Sequence, residues 1–540
     1  MEEIRNKLKK VIKDLFDLDI EPVVSVAPEN TGADYASNVA MQLAGQVRLA
    51  PRQIAEKIAA EFSDCEIAGP GFLNFILPNE YFLNKIEDFS GEIGKNISQD
   101  EYSGKTVICE FSDPNPFKVL HVGHLYTSIV GDSISRLFEL SGGKVVRANF
   151  GGDVGLHVAK TMYVLSQKDV SDFTIEDIAK CYVEGTRAYE EDEKAHEEIV
   201  QLNKQIYEIA AKDLHDSRLA EMYWKGRELS YQYFEDFYAR IGVKFDKYYP
   251  ESTVAGRGLE EVRNGLSKGV YEMSDGAVVY RGEKVGLHTR VFINQNGLPT
   301  YEAKDVGLIY TKFDDYHFDK SVVITGNDII DYMKVVLSSI SEMNPELTER
   351  TAHLTHGQVK LPGNEKMSSR KGNFIKAVDI LDAVIEKCDN DQKIAMAAIK
   401  YAFLKYKVGG DIEFNIDESV STTGNSGVYL LYSAVRSKKI IEKCTKNEAG
   451  ENFELNLFEK NLVKKMIQYR EALSEATKEM APHKVCNYLY ELAQEFSRFY
   501  ENVKVAGSEF EQERKKIVQS YLNIMEHGLN LLGIEVPEEM

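Results

Sequence analysis

His121-Val122-Gly123-His124 sits between an apolar run and a helical stretch, and the reading of that junction decides the fold. Upstream, Val107-Ile108-Cys109-Glu110-Phe111 reads as a short buried strand. Asp113-Pro114-Asn115-Pro116 then breaks the chain into a loop, because proline fixes φ and turns the residue before it away from helix. Downstream, Leu125, Ile129, Ile134 and Leu137 recur near helical spacing as far as Ser141-Gly142-Gly143. The two histidines, three apart, share one face of the first helical turn. Unpaired backbone N–H groups there favour an anion. A strand, a loop and a helix with two imidazoles at its mouth make an α/β phosphate site.

Length and composition narrow the class. A chain of 540 residues predicts several domains with sizeable cores. No run of about 18 apolar residues, the membrane-spanning length, occurs. Met1-Glu2-Glu3-Ile4-Arg5 lacks the charged-then-apolar layout of a signal peptide. Six cysteines, at 65, 109, 181, 388, 444 and 486, are scattered without a C-x-x-C pair, which disfavours a zinc site or a disulfide framework. The expectation is a soluble, reduced, cytoplasmic protein.

The formal net charge of −21 argues at first against a nucleic-acid partner. Its distribution softens that, because residues 421–540 hold 16 Lys and Arg against 18 Asp and Glu. Basic clusters stand at Arg436-Ser437-Lys438-Lys439, Lys464-Lys465 and Arg514-Lys515-Lys516. A solvated helix face is the plainer account of any one of them, so charge alone decides nothing.

Three regions separate along the chain. Residues 1–100 mix helical signals (Ile4 to Leu18, Pro51 to Phe62) with a strand-like run from Gly71 to Leu77, which predicts a small α+β module. Polar residues from Ser90 to Lys105 read as a linker. Over 105–415, β-rich runs at 106–111, 145–150, 278–280, 288–293 and 321–325 alternate with helices, the pattern of a parallel sheet. A charged, Tyr-rich helical stretch at about 155–240 reads as an insertion into that domain. In 421–540 strand signals nearly vanish, and segments 428–444, 456–480, 482–503 and 509–532 predict an all-α bundle.

A second chemical segment, Lys366-Met367-Ser368-Ser369-Arg370-Lys371-Gly372-Asn373, follows a polar Pro362-Gly363-Asn364 turn. Three cations, hydroxyls and a glycine suit a loop that closes over a polyphosphate. A solvated basic turn fits that segment alone as well, and only its pairing with the histidines favours phosphate.

Together the two segments resemble the HIGH and KMSKS signatures of class I aminoacyl-tRNA synthetases. Ser369 stands where the usual lysine of the second signature would be, and Lys118 stands just upstream of the first. That exchange is similar to the pattern of arginyl-tRNA synthetases, and the resemblance runs along nearly the whole chain. It includes Ala33 to Met41 and Ala68 to Asn74 near the start, Glu110 to Asn115, Ile241 to Asp246 with Glu251-Ser252, Pro482 to Tyr490 and Leu532-Gly533-Ile534. Pro299-Thr300-Tyr301-Glu302-Ala303-Lys304-Asp305 resembles the family's Tyr-x-x-Arg-Asp motif, with Lys304 in place of Arg.

The resemblance implies a Rossmann-like catalytic domain, an N-terminal tRNA-binding module and a helical anticodon-binding domain. It implies an arginine–tRNA ligase that forms arginyl-adenylate from ATP, with Mg²⁺, and passes the arginine to tRNA(Arg) as a monomer. In that family pyrophosphate exchange requires tRNA. His121 and His124 would donate to ATP oxygens, and Gly123 would let the nucleoside approach the backbone. Lys366, Met367, Ser368, Arg370 and Lys371 complete the expected ATP set, and His121, His124, Lys118 and Lys366 are the expected catalytic residues. Tyr301 and Asp305 would meet the substrate guanidinium, with Glu110 as a second carboxylate and Asn115 at the α-carbon end. Asn327 joins that set from Gly326-Asn327-Asp328, where the family often has glutamine. The helical end offers Tyr429, Tyr432, Tyr488, Tyr490, Phe496, Phe499 and Tyr500 for stacking on unpaired bases, although an aromatic stripe at helical spacing is more often core. Another class I synthetase and a HIGH-motif nucleotidyltransferase remain as alternatives.

Overall fold

The computed structural model describes residues 1–91, 99–168, 172–362, 375–445, 450 and 452–540. Two compact units emerge. The first holds residues 1–97, 433–473 and 488–527, and the second holds 98–432, 474–487 and 528–540.

In the first unit, α1 (Glu2–Phe16), α2 (Val39–Val47), α3 (Pro51–Ala59) and α4 (Asn79–Ser90) accompany a four-stranded antiparallel sheet. Its strands, β1 (Val24–Val26), β2 (Tyr35–Ser37), β3 (Cys65–Ala68) and β4 (Phe72–Phe75), run in the order β1-β2-β4-β3. Leu8, Ile12, Leu43, Ile54 and Ile58, all fully buried, form the core between helices and sheet. The same unit takes in helical residues from the end of the chain. Lys460 and Lys464 reach Asp34, with Nζ atoms 2.9 and 2.8 Å from its carboxylate.

The second unit is built on a five-stranded sheet in which every neighbouring pair is parallel. Its strands are β5 (Thr106–Glu110), β6 (Lys144–Gly151), β7 (Lys247–Pro250), β11 (Lys320–Gly326) and β12 (Thr351–His356), in the order β12-β11-β5-β6-β7. Val107, Ile108 and Cys109 are fully buried, as a central parallel strand with both faces covered requires. The chain leaves β5 toward β6 and β7 on one side, and toward β11 and β12 on the other. That topological switch point lies at the carboxyl end of β5, where open α/β sheets bind ligands.

The expected strands at 106–111, 145–150 and 321–325 join this sheet. The runs at 278–280 and 288–293 do not. They lie in β9 (Ala277–Tyr280) and β10 (Arg290–Ile293), which with β8 (Glu272–Ser274) form a separate antiparallel sheet. Short turns between these strands favour antiparallel pairing, since a parallel return needs a long crossover.

Helix α5 (Val122–Leu140) begins at the histidines and is buried along most of its length. The insertion comprises α6 (Leu156–Gln167), α7 (Ile175–Glu191), α8 (Glu193–Lys212) and α9 (Arg218–Ile241). Val158, Met162, Ile178, Ile199, Ile206 and Tyr223 give it a core, into which Phe117 also packs. Then α10 (Glu251–Ser267) and α11 (Tyr301–Tyr316) run side by side, followed by α12 (Ile330–Met343), α13 (Ala377–Lys387) and α14 (Gln392–Leu404). The end of the chain is helical, with Gly427–Glu442, Leu457–Ile467, Tyr469–Lys478, Pro482–Asn502 and Glu511–Leu531.

Helices α10 and α11 touch backbone to backbone because glycine lines both. A Cβ on Gly258 would lie 2.0 Å from the Ala303 carbonyl oxygen, and one on Gly307 would lie 2.3 Å from that of Val254. Gly258→Ala is therefore expected to lower stability by about 1–3 kcal/mol through overpacking. Gly256→Ala, on the same helix with open space around it, should be neutral or stabilise by up to about 1 kcal/mol. Urea denaturation midpoints of the two variants check the contrast.

Candidate active site

The loop that leaves β5 is held in a conformation its residues do not prefer. Ser112, Asp113 and Phe117 have φ of 74°, 47° and 65°, a left-handed region costly for side chains with a Cβ. Tethers on every side hold it. The Ser112 hydroxyl bonds the Tyr238 hydroxyl at 2.8 Å, and the Asp113 carboxylate accepts from Phe150 N–H at 2.8 Å. The Phe117 N–H donates to Ser230 Oγ at 3.0 Å, and Asn115 Oδ1 accepts from Gly152 N–H at 2.9 Å. Burial, with Glu110 beside it, pushes the Asp113 carboxyl well above the usual carboxylate range.

The histidines close the helix mouth. His121 is the N-cap of α5, and its Nδ1 accepts from Gly123 N–H at 3.1 Å. His124 Nδ1 accepts from His121 N–H at 3.2 Å, so the two form a reciprocal capping box. Their rings stack with centroids 3.8 Å apart. A Cβ at Gly123 would stand 2.9 Å from the His121 ring, which explains the glycine. Burial, and then the Lys118 ammonium, depress His121 to about 4. Burial also depresses His124 well below the ordinary range, with His121 and Lys118 adding to it. Both rings are neutral near pH 7. Since each Nδ1 accepts a backbone proton, each Nε2 carries the ring hydrogen and is a donor.

Asn115, Lys118, His121 and His124 line one cavity of about 590 Å³. The insertion supplies its opposite wall, with Tyr182 of α7 under the Lys118 ammonium at 4.7 Å from the ring centre. Lys376 and Val378 close a third side. Val122 N–H donates to Ile375 O, and Ala377 N–H donates to Leu120 O, both at 3.0 Å. The expected Lys366, Met367, Ser368, Arg370 and Lys371 lie outside the described residues, as does Ser369.

A carboxylate cluster gathers at the ends of β6 and β7 and the start of α11. Tyr301 and Asp305 stand four apart at the start of α11, Tyr301 being 53% exposed. Asp305 accepts a hydrogen bond from the Tyr332 hydroxyl. Burial pushes Asp305 up to about 8, with the charges of Glu110 and Glu251 adding to the rise and the Tyr332 bond opposing it. Glu251, the first residue of α10, pairs with Lys304 at 2.5 Å. Sequence reasoning named Glu251 as part of the resemblance but gave it no role. Its signal was a carboxylate directly after a sheet strand, in Pro250-Glu251-Ser252.

Two expected ligands are turned elsewhere. The Glu110 carboxylate is buried in an ion pair with Lys312, whose Nζ also donates to Ser321 Oγ at 3.1 Å. The Asn327 amide donates to Gly409 O at 2.8 Å. Of the C-terminal aromatics, Tyr488, Phe496 and Phe499 are core residues, with Tyr488 stacked on Tyr469 and Phe496 on Tyr521. Tyr432 and Tyr500 are exposed, and the Arg436 guanidinium lies 4.8 Å from the Tyr500 ring centre.

Comparison with known proteins agrees with this architecture. The family model "tRNA synthetases class I (R), catalytic domain" matches residues 92–415. Models of the arginyl tRNA synthetase N terminal domain and the DALR anticodon binding domain match 2–77 and 430–540. The chain is similar to the arginine–tRNA ligase of Borrelia duttonii (strain Ly), at 28% identity over all of this chain and 99% of that one. Its fold is similar to that of Thermus thermophilus arginyl-tRNA synthetase, with TM-score 0.80, 22% identity and full coverage of both chains. The Plasmodium falciparum arginyl-tRNA synthetase gives a TM-score of 0.79 at 22% identity, covering 100% of this chain and 99% of that one.

The depressed histidines carry a direct consequence. In a pH titration followed by imidazole NMR, neither His121 nor His124 should protonate between pH 5 and 8. His121 should charge only near pH 4, and His124 should likewise stay neutral well below the ordinary range, whereas an ordinary histidine would titrate near 6.5.

Proposed function

The chain belongs to the class I arginyl-tRNA synthetase family, and we propose the residue roles by which it carries out that family's arginine–tRNA ligation. The observation that carries these roles is one cavity in which two neutral, stacked imidazoles face Asn115 and Lys118. In the first step the arginine carboxylate attacks the α-phosphorus of ATP and pyrophosphate leaves. Positioning and charge stabilisation supply most of such a step. His121 and His124 donate from Nε2 to the phosphate oxygens without needing a proton from solvent. Lys118, with Lys366, Arg370 and Lys371 of the basic loop, neutralises charge on the departing pyrophosphate. Met367, Ser368 and Gly123 complete the nucleotide site.

Asn115 holds the α-carbon end of arginine, and Asp305 with Tyr301 receives the guanidinium. Both Glu110 and Glu251 pair with a buried lysine, but Glu251 is the better second carboxylate because its Oε1 lies beside Asn115 across Gly152. In the second step a hydroxyl at the tRNA 3′ end attacks the acyl carbon and AMP leaves. The partner is tRNA(Arg), met by the helical C-terminal region at its anticodon and by the N-terminal module elsewhere. Mg²⁺ belongs to this reading as the companion of ATP, held by phosphate oxygens and water. Among the described residues no group of three or more His, Cys, Asp or Glu could hold a metal by itself. Among those residues no helix is long and apolar enough to cross a membrane. We take the enzyme to be a cytoplasmic monomer.

Pyrophosphate exchange run with each amino acid, with and without tRNA, tests the reading. Arginine alone should support exchange, and only with tRNA present. Lys118→Ala should slow adenylate formation tenfold or more, about 1.4 kcal/mol, while tRNA affinity changes less than about twofold. Equal, small effects on both would remove Lys118 from the ATP site.

A pH profile tests Asp305. The guanidinium binds the ionised carboxylate, so below the folded value of about 8 binding must first displace a proton. The arginine KM should fall about tenfold from pH 6 to 7, about fivefold from 7 to 8, and level off above that. Asp305→Asn should raise KM and abolish that slope.

A further inference from the structure

Lys304 and Glu251 have almost no access to water, their side chains being 3% and 4% exposed, and Lys304 Nζ lies 2.5 Å from Glu251 Oε2. The ammonium also sits 4.8 Å from the ring centre of Tyr301 and 5.3 Å from that of Tyr207, a residue of the insertion. The other oxygen of Glu251 has a different neighbourhood. A Cβ built on Gly152 would lie 3.2 Å from Glu251 Oε1 and 2.5 Å from Asn115 Oδ1. Lys304 thus occupies one carboxylate oxygen, while the missing side chain of Gly152 leaves the other beside Asn115.

We propose that Lys304 is a positioning residue of the arginine pocket, holding Glu251 by Oε2 so that Oε1 faces Asn115 and accepts a cationic group of the substrate. This rests on the reading of Asn115 and Asp305 as arginine ligands. Without a nearby cation, a carboxyl buried this deeply takes up a proton and loses its value as an acceptor. Burial does push Glu251 upward, and Lys304 opposes that rise. An ammonium is a point charge, so it keeps the acid ionised while covering a single oxygen. The two tyrosine rings add a cation–π surface that fixes the ammonium in turn. The motif's usual arginine at this place also supplies a cation, which makes Lys304→Arg the conservative exchange.

The test is tRNA-supported, arginine-dependent pyrophosphate exchange on the full chain for wild type, K304M, K304Q and K304R. K304M should raise the arginine KM at least tenfold and leave the ATP KM within about twofold, and K304R should recover most of the loss. If K304M does not fold, K304Q decides, since its amide still donates to Oε2 without the charge. Its arginine affinity by calorimetry should fall by a similar factor. An unchanged arginine KM in a folded variant overturns the proposal, and so does a parallel rise in both KM values, which marks a merely structural role. A wild-type chain without arginine-dependent exchange overturns the ligase reading itself, and that failure is visible before any variant is made.

Discussion

Buried charge cannot be left uncompensated, and that constraint organises the catalytic unit. Removing one partner of a buried ion pair costs about 3–5 kcal/mol, because the remaining charge loses both water and counter-ion. Glu110 at the end of β5 meets Lys312, Glu251 at the end of β7 meets Lys304, and Asp153 beyond β6 meets Arg227 at 2.9 Å. Each pair joins the carboxyl edge of the sheet to a helix that follows later in the chain. Asp153 also accepts from the Ser252 N–H and hydroxyl at 2.9 and 2.6 Å, which ties the start of α10 to the loop after β6. The helices can sit this close because Gly258 and Gly307 carry no side chain. Packing and charge therefore specify the same arrangement.

Much of this was legible in the sequence where the signal is local. A strand, two prolines and a helix fix the His121–His124 junction from adjacent residues, and the structure adds only that His121 is the cap. The insertion and the C-terminal helices were legible because helical periodicity persists over many turns. The strands β7 and β12 were not, since Lys247–Pro250 is short and Thr351–His356 alternates histidine and threonine with apolar residues. The antiparallel sheet was read as part of the parallel one, because strand propensity carries no information about which strand is the neighbour.

The site divides in the same way. Asn115, Lys118, His121 and His124 are close in sequence and meet in one cavity. Glu110 carries an acid of the right kind at the right strand end, yet Lys312, 202 positions away, decides that it faces the interior. Asn327 likewise answers to Gly409, 82 positions on. Residue type and local spacing narrow a site to candidates. Which candidates face the cavity depends on partners that only the folded chain supplies. The C-terminal aromatics make the same point, since Phe496 and Tyr500 sit one helical turn apart and one is core while the other is exposed.

The charge arrangement then bears on what the pocket accepts. Glu110 and Glu251 are each matched by a lysine, and Asp113 is pushed toward its neutral form. Asp305 differs, since its hydrogen-bond partner is the uncharged Tyr332 hydroxyl. A carboxyl in that position stays protonated while the site is empty and ionises when a cation arrives, so the pocket bears little uncompensated charge in either state. On the proposed reading, a neutral side chain of similar length would gain only a neutral hydrogen bond from Asp305, and the one other acid open to a cation is Glu251, through the oxygen that Lys304 leaves uncovered. On that reading the preference for arginine over lysine follows from geometry, since the planar fork of a guanidinium meets a carboxylate through two parallel hydrogen bonds where an ammonium makes only a point contact.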